Sequence, residues 1–163
     1  MNTLTFEDEN QNTAGPDTVE VADDGTWITE VDLTSLEGVV TTNAISTDTS
    51  GNSSEEAEIV FLIDSQAPVI SIDTPITDDN IVNAIEESNV LFTGTGETGS
   101  TIRVSVSDEI LSLTAITTVL SNGTWSVDMD LSSLNDGILS VSGSSTDAAG
   151  NTANVSHDFE KQT

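Results

Sequence analysis

The sequence has no cysteine and almost no positive charge. Two basic side chains stand against 29 acidic ones and a single histidine, for a formal charge of −27 over 163 residues. The lack of Lys and Arg excludes a nucleic-acid binder, because displacing counterions from a phosphate backbone needs cationic side chains. The same excess works against attraction to an anionic membrane surface. Without cysteine there is neither a disulfide framework nor thiol chemistry. No apolar run approaches the roughly 20 residues of a membrane-spanning helix. Met1-Asn2-Thr3 does not open a signal peptide, so an export address is expected outside these residues. Aromatic side chains are limited to four Phe and two Trp, and no exposed aromatic cluster for a ligand is visible. The length suits one or two small domains rather than one large enzyme core.

Few aromatics, many Ser and Thr and a high net charge are also the composition of a disordered chain. The pattern argues otherwise. Thr101-Ile102-Arg103-Val104-Ser105-Val106-Ser107 alternates with a period of two, as does Thr124-Trp125-Ser126-Val127-Asp128-Met129-Asp130-Leu131. Such alternation puts every second side chain in a core. Gly, Asn and Asp punctuate the chain at short intervals, as in Ser121-Asn122-Gly123 and Ala149-Gly150-Asn151. No apolar stripe of helical spacing is sustained. The pattern predicts an all-β protein of antiparallel sandwiches.

Self-comparison shows a repeat. Gly25-Thr26-Trp27 recurs as Gly123-Thr124-Trp125, and Asp32-Leu33-Thr34-Ser35-Leu36 as Asp130-Leu131-Ser132-Ser133-Leu134. Ser46-Thr47-Asp48-Thr49-Ser50-Gly51-Asn52 recurs as Ser145-Thr146-Asp147-Ala148-Ala149-Gly150-Asn151. The chain therefore holds two related units, 1–66 and 67–163, with a boundary near the polar link Asp64-Ser65-Gln66. In the second, strands are expected over 68–74, 89–95, 101–107, 112–120, 124–131, 137–146 and 152–159. A longer loop, 77–87, is expected between the first two. The first unit has only 26 residues before Trp27. It is expected to be a short or partial sandwich, either missing two strands or replacing them with a shorter arrangement.

Several segments of the second unit, in order, carry a resemblance. They are Pro68-Val69-Ile70-Ser71-Ile72-Asp73-Thr74-Pro75, Asp79-Asn80-Ile81-Val82-Asn83-Ala84 with Glu86, Gly94-Thr95-Gly96-Glu97-Thr98-Gly99-Ser100-Thr101, Gly123-Thr124-Trp125 and Ser145 to Asn151. Together they resemble the bacterial immunoglobulin-like repeat of giant adhesins, long surface proteins exported by type I secretion that include repeats-in-toxin and ice-binding adhesins. The resemblance covers the whole second unit and the latter two thirds of the first. It implies tandem immunoglobulin-like β-sandwiches acting as an extender, stiffened by calcium, that holds a ligand-binding region away from the cell. The implied partners are neighbouring repeats of the same chain and calcium ions, in an extracellular, monomeric segment that inserts into no membrane.

In a seven-stranded sandwich of this kind, the loops after strands two, four and six share the end at which the domain's own N-terminus arrives. Here those loops carry Glu97, Asn122, and Asp147 with Asn151, and the incoming link carries Asp64. Calcium takes six to eight hard oxygens, which such loops can supply. The expectation is a calcium ion at the junction held by Asp64, Glu97 and Asp147, with Asn151 as a weaker ligand. The opposite end collects Asp78, Asp79 and Glu86 from the long loop and Asp136 from the Leu134-Asn135-Asp136-Gly137 turn, a candidate second site. The plainer reading is that Asp in Asp147-Ala148-Ala149-Gly150-Asn151 forms a turn, accepting backbone N–H groups through its side chain. The unpaired negative charge favours a divalent counter-ion.

Asp8-Glu9-Asn10-Gln11-Asn12 opens like an EF-hand loop. Thr13 stands where that loop needs Gly and Val19 where it needs Glu, so a solvated acidic turn is expected instead. Trp27 and Trp125 share a register, each following a Gly-Thr pair, and both are expected to anchor cores rather than stack on sugars. Asn-x-Ser/Thr matches at Asn52, Asn122 and Asn154 carry no weight in so Ser/Thr-rich a chain. A catalytic reading finds little: His157 has no nucleophile elbow near it, and the acids lie in solvated loops rather than apolar pockets. Two non-catalytic alternatives to an extender remain, a cell-proximal anchoring segment and a module that binds a carbohydrate or protein directly.

Overall fold

A computed structural model describes all residues, Met1–Thr163, as two compact units, Met1–Ser65 and Gln66–Thr163. Eleven strands and no helix make up the chain. In the first unit, β1 (Asn2–Asp8), β2 (Thr13–Val19), β3 (Gly38–Ser46) and β4 (Ala57–Ile63) form one antiparallel sheet in the order β2-β1-β3-β4. Leu4, Phe6 and Val40 point from its inner face, and Leu36 closes over them with Val31 and Leu33 packed alongside. No second sheet covers this face. The short sandwich expected here is a single sheet capped by an irregular segment.

The second unit has the seven strands β5 (Ile81–Asn83), β6 (Val90–Thr95), β7 (Thr101–Ser107), β8 (Ser112–Thr118), β9 (Thr124–Met129), β10 (Gly137–Thr146) and β11 (Thr152–Gln162). Five make a sheet in the order β5-β11-β10-β7-β8, and β6 pairs with β9 opposite it. The alternation read from 101–107 is realised in full, with Ile102, Val104 and Val106 wholly buried. Each such side chain contributes about 1.5–3 kcal/mol by leaving water. Trp125, Phe92 and Phe159 fill the space between the sheets, with Phe92 and Phe159 edge-on at 6.0 Å between ring centres.

Two elements differ from expectation. Residues 68–74 run alongside β6 without forming a regular strand. Ser71 N–H donates to Thr95 O and Asp73 N–H to Thr93 O, each at 2.9 Å. The return bond from Thr95 N–H goes to Ser71 Oγ at 3.1 Å rather than to a carbonyl, so the ladder is broken by a side chain. Gly94 permits this close approach, since a Cβ there would lie 2.0 Å from Ser71 O and 2.6 Å from Trp125 Cζ2. The second difference is β5, inside the segment expected to be loop. It runs parallel to β11, pairing Ile81, Val82 and Asn83 with Glu160, Lys161 and Gln162. The first segment of the unit thus serves both sheets in turn, and Val82 is fully buried where it joins the second.

This topology sets the two ends of the second unit. Thr95, Thr101, Thr118, Thr124, Thr146 and Thr152 are paired at one end, where the chain arrives through Val69, which accepts from Glu97 N–H at 3.2 Å. Val90, Ser107, Met129, Gly137 and Lys161 mark the other end, from which the chain leaves at Thr163.

Candidate functional site

The candidate ligands of the arriving end, Glu97, Asn122 and Asp147 with Asn151, lie in three loops that the strand pairing brings to one side of the second unit. Asp147 closes the β10–β11 loop on itself. Its Oδ1 accepts from Gly150 N–H at 2.7 Å and Asn151 N–H at 2.9 Å, and its Oδ2 accepts from Asn151 Nδ2 at 2.9 Å. Burial pushes the Asp147 carboxyl up, but the Asn151 side chain and the Asn151 and Gly150 amides outweigh it and hold the group below its usual range. Asn122 turns its Oδ1 to Thr124, taking the backbone N–H at 3.2 Å and the hydroxyl at 2.8 Å. Glu97 is exposed in the neighbouring loop.

The turn chemistry of Asp147 is repeated twice in the first unit. Asp48 accepts from Asn52 N–H and Asn52 Nδ2, each at 2.9 Å, and Asp8 accepts from the same two groups of Asn12 at 2.9 and 2.8 Å. In each loop the residue before the Asn has a positive φ: Gln11 at 66°, Gly51 at 88° and Gly150 at 97°. These are three copies of one tight hairpin, a turn followed by a left-handed residue. The segment compared above with an EF-hand is one of them.

At the leaving end Asp136 Oδ1 accepts from the Thr163 hydroxyl at 2.9 Å and Oδ2 from Thr163 N–H at 3.2 Å. These bonds, with the Lys161 charge, lower its carboxyl. Asp79 Oδ1 accepts from Ile81 N–H at 2.9 Å and Glu86 Oε2 from Asn83 N–H at 3.0 Å, each within its own loop, while Asp78 is exposed. The cation at this end is Lys161, whose side chain is 3 % exposed. Its Nζ lies 2.8 Å from Glu87 Oε2, donates to Leu134 O at 2.8 Å and stands 4.0 Å from Asp136 Oδ1.

The donor chemistry of these loops is the hard oxygen that calcium prefers. Yet no three Asp, Glu or His side chains gather around one point. Asp147, Asp79, Glu86 and Asp136 each spend oxygens on their own backbone. As arranged, the carboxylates of the second unit do not by themselves build a calcium cage.

Two acids tie loops together: Asp108, which sequence reasoning passed over, and Asp8, for which it expected only a solvated turn. Asp108 Oδ1 accepts from Ile110 N–H at 3.0 Å and Leu111 N–H at 2.6 Å, and Oδ2 from Asn135 N–H and Nδ2 at 2.8 and 2.7 Å. These donors, the Asn135 amide foremost, lower its carboxyl to about 2. Asp8 reaches Glu37 N–H in the first unit in the same way, at 3.4 Å. Both loops open Asp-Glu, at Asp8-Glu9 and Asp108-Glu109, but they share nothing after that, and so short a match does not mark the equivalence in the sequence.

The tryptophans part company. Trp125 is 1 % exposed and donates through Nε1 to Thr95 O at 3.2 Å. Trp27 is 43 % exposed, so the core role expected for it fails. The turn before each is the same, with Ala22 N–H bonded to Thr26 O and Leu120 N–H to Thr124 O, both at 2.8 Å. What differs is the partner: residues after Trp27 form no strand, and nothing in the first unit stands where β6 stands in the second.

Residues 78–157 match the family of bacterial Ig domains. Among solved structures, the chain is similar to a tetra-tandem repeat from the extending region of a large adhesion protein. The identity is 27 %, covering 99 % of this chain and 41 % of that one, with a TM-score of 0.53. A Ca²⁺-stabilised adhesin with which an Antarctic bacterium reaches out and binds ice is 26 % identical over 98 % of this chain and 40 % of its own, with a TM-score of 0.47. A bacterial immunoglobulin-like domain from the M. primoryensis ice-binding adhesin is 30 % identical over 60 % of this chain and 98 % of its own, with a TM-score of 0.41. The chain thus spans about two fifths of the first two structures. No curated protein matches it.

Proposed function

The chain belongs, through its second unit, to the bacterial immunoglobulin-like domain family, and from that premise we propose a mechanical role in a bacterial surface adhesin. In this reading the chain is an extender segment of a longer, type I-secreted adhesin of the repeats-in-toxin kind, flanked by further repeats and catalysing nothing. It is monomeric and extracellular, and it projects a ligand-binding region away from the cell.

The observation that supports this most directly is the passage of the backbone through the second unit, in at one end and out at the other. Domains joined in that way add their lengths. The eleven residues of β11 alone reach about 36 Å at roughly 3.3 Å per residue. Calcium taken up by acidic loops, Asp64, Glu97 and Asp147 among them, stiffens the segment and offsets part of the −27 charge. Support for the metal is the charge and the hard-oxygen loops alone.

Small-angle scattering and thermal unfolding of the chain in calcium, in magnesium, and in chelator at matched ionic strength test both parts. An elongated particle with a calcium-specific rise in melting temperature is expected. A particle no longer than one unit sinks the extender reading. Equal behaviour in calcium and magnesium reduces the acidity to charge screening and removes the metal from the proposal.

A further inference from the structure

The end strand of a sheet offers unpaired N–H and C=O groups to any strand that reaches it. The two sheets of the second unit have four such edges, and three are protected. β5 is only three residues long. The 68–74 segment beside β6 lies between Pro68 and Pro75, and Ser71 Oγ interrupts its ladder. β9 carries Asp128 and is followed by Asp130. The fourth edge, β8, has none of these devices. Its residues, Ser112-Leu113-Thr114-Ala115-Ile116-Thr117-Thr118, pair with β7 in unbroken register and make no backbone bond on their other side. They contain no charge, no Pro and no Gly, the composition of a strand that readily pairs with another. All seven strands of this unit are in place, and β8 lies between β7 and β9 in the chain.

The charge pattern singles out the same edge. Ile110 to Val127 is the longest uncharged stretch of a chain with 29 acids in 163 residues. Ile116 is 65 % exposed, and Ile110, Leu111 and Leu120 around β8 are exposed as well. Beside Ile116 on β7 stands Arg103, and since both salt bridges of the protein belong to Lys161, Arg103 has no carboxylate partner. A second copy of this chain, repelled elsewhere by its own charge of −27, meets no acid along this strip.

We propose that β8 is a lateral docking edge for β8 of a second copy, the two strands antiparallel about a two-fold axis at Ala115. Such a contact is made by one patch with itself, so the patch must match itself. This one does. The axis opposes Leu113 with Thr117 among the half-buried positions, and Ile116 with Thr114 and Ser112 with Thr118 among the exposed ones. Each face therefore continues across the seam, and two five-stranded sheets become one. Glu109, the nearest acid along the chain, lies three residues beyond the last pair. The seam of seven residues is about 23 Å long at roughly 3.3 Å per residue. So small a contact buries less than the roughly 1,000 Å² of a stable interface. The pairing is accordingly weak, leaving a monomer in dilute solution and joining chains where they are crowded. The inference rests on strand edges and charge, and its failure leaves the extender reading untouched.

The protein has no cysteine, so single cysteines in the full chain report the seam directly. Ala115→Cys is expected to give a disulfide-linked dimer on mild oxidation, because the axis sets both copies of that residue face to face. Thr118→Cys, whose two copies lie about 20 Å apart in this pairing, is expected to give little. Adding Ile116→Glu, which stands beside Arg103 of its own chain, should remove most of the Ala115→Cys dimer without lowering the unfolding temperature. Ile85→Glu, at an exposed residue outside β8, should leave the dimer intact. Sedimentation of the unsubstituted chain at up to about 1 mM should show a dimer that grows as salt is raised to about 1 M, where the screening length falls to about 3 Å. A chain that stays monomeric under both conditions overturns the proposal. So do cysteines at 115 and 118 that cross-link equally, or an association that survives Ile116→Glu, because either puts the contact on another surface.

Discussion

Lys161 is the sharpest single lever on the second unit. Its ammonium lies inside the leaving end, bonded to Glu87 and to the Leu134 carbonyl, and its stem fills core space beside Leu134. Lys161→Ala removes the packing and strands Glu87, whose side chain is 22 % exposed. Breaking a fully buried pair costs about 3–5 kcal/mol. The partial exposure of Glu87 brings the expected loss to about 2–4 kcal/mol. Lys161→Met keeps the stem, so its loss should be smaller, and adding Glu87→Gln should recover part of it. The first unit holds Ile63 at this register position and needs no acid beside it. Urea unfolding followed by Trp125 fluorescence measures the unsubstituted chain, these three variants and Glu87→Gln alone, and the cycle of Lys161→Met with Glu87→Gln gives the Lys161–Glu87 coupling, expected at about 1–3 kcal/mol. If Lys161→Ala shifts the second unit by less than about 0.5 kcal/mol, the buried pair contributes nothing and the argument is wrong.

Further outcomes follow from the same structure. Trp125→Ala should cost about 3–5 kcal/mol in the second unit, whereas the half-open Trp27→Ala leaves no sealed cavity and should cost less than half as much in the first. Calorimetry that finds equal losses would refute the difference drawn between the two units. Gly94→Ala forces a Cβ against Ser71 O and the Trp125 ring. A loss of about 3 kcal/mol is expected by chemical denaturation, and a neutral result would mean that the backbones are not so close. The Asp108 carboxyl, lowered to about 2, contributes stability that is complete above about pH 4 and lost as pH falls toward 2. Asp108→Asn should therefore lower the melting temperature at pH 7 and flatten the acid limb between those values. An unchanged acid limb would assign that loss to other carboxylates.

Much of this fold was legible in the sequence because alternation is a local signal. The run 101–107 needed no partner to be recognised, and the Gly-Thr-Trp and Asp-to-Asn motifs identified the repeat from their own residues. The misses are non-local. Nothing within Ile81-Val82-Asn83 announces a strand whose partner lies at Glu160–Gln162, and a three-residue parallel pairing leaves no turn signature. Trp27 misled for a related reason. Its own turn matches that of Trp125, but burial depends on a strand supplied from elsewhere, and motif identity carries no information about whether that strand is present. The acids were harder still. A carboxylate in a Gly/Asn loop reads alike whether it will bind a metal or its own backbone. In Asp147 the three hydrogen bonds inside its loop reveal the turn-forming role, and only coordinates display them.

The parallel pairing of β5 with β11 has a consequence under load. Both strands run toward the end at which the chain leaves, so pulling upstream on β5 and downstream on Thr163 slides one past the other along their length. The rungs between Ile81–Asn83 and Glu160–Gln162 are then strained together, as in a lap joint, rather than opened one after another like a zip. A patch of three residues pairs can in this way resist a tug that would peel a longer hairpin apart, and the first unit, with nothing along the outer edge of β4, has no such clasp.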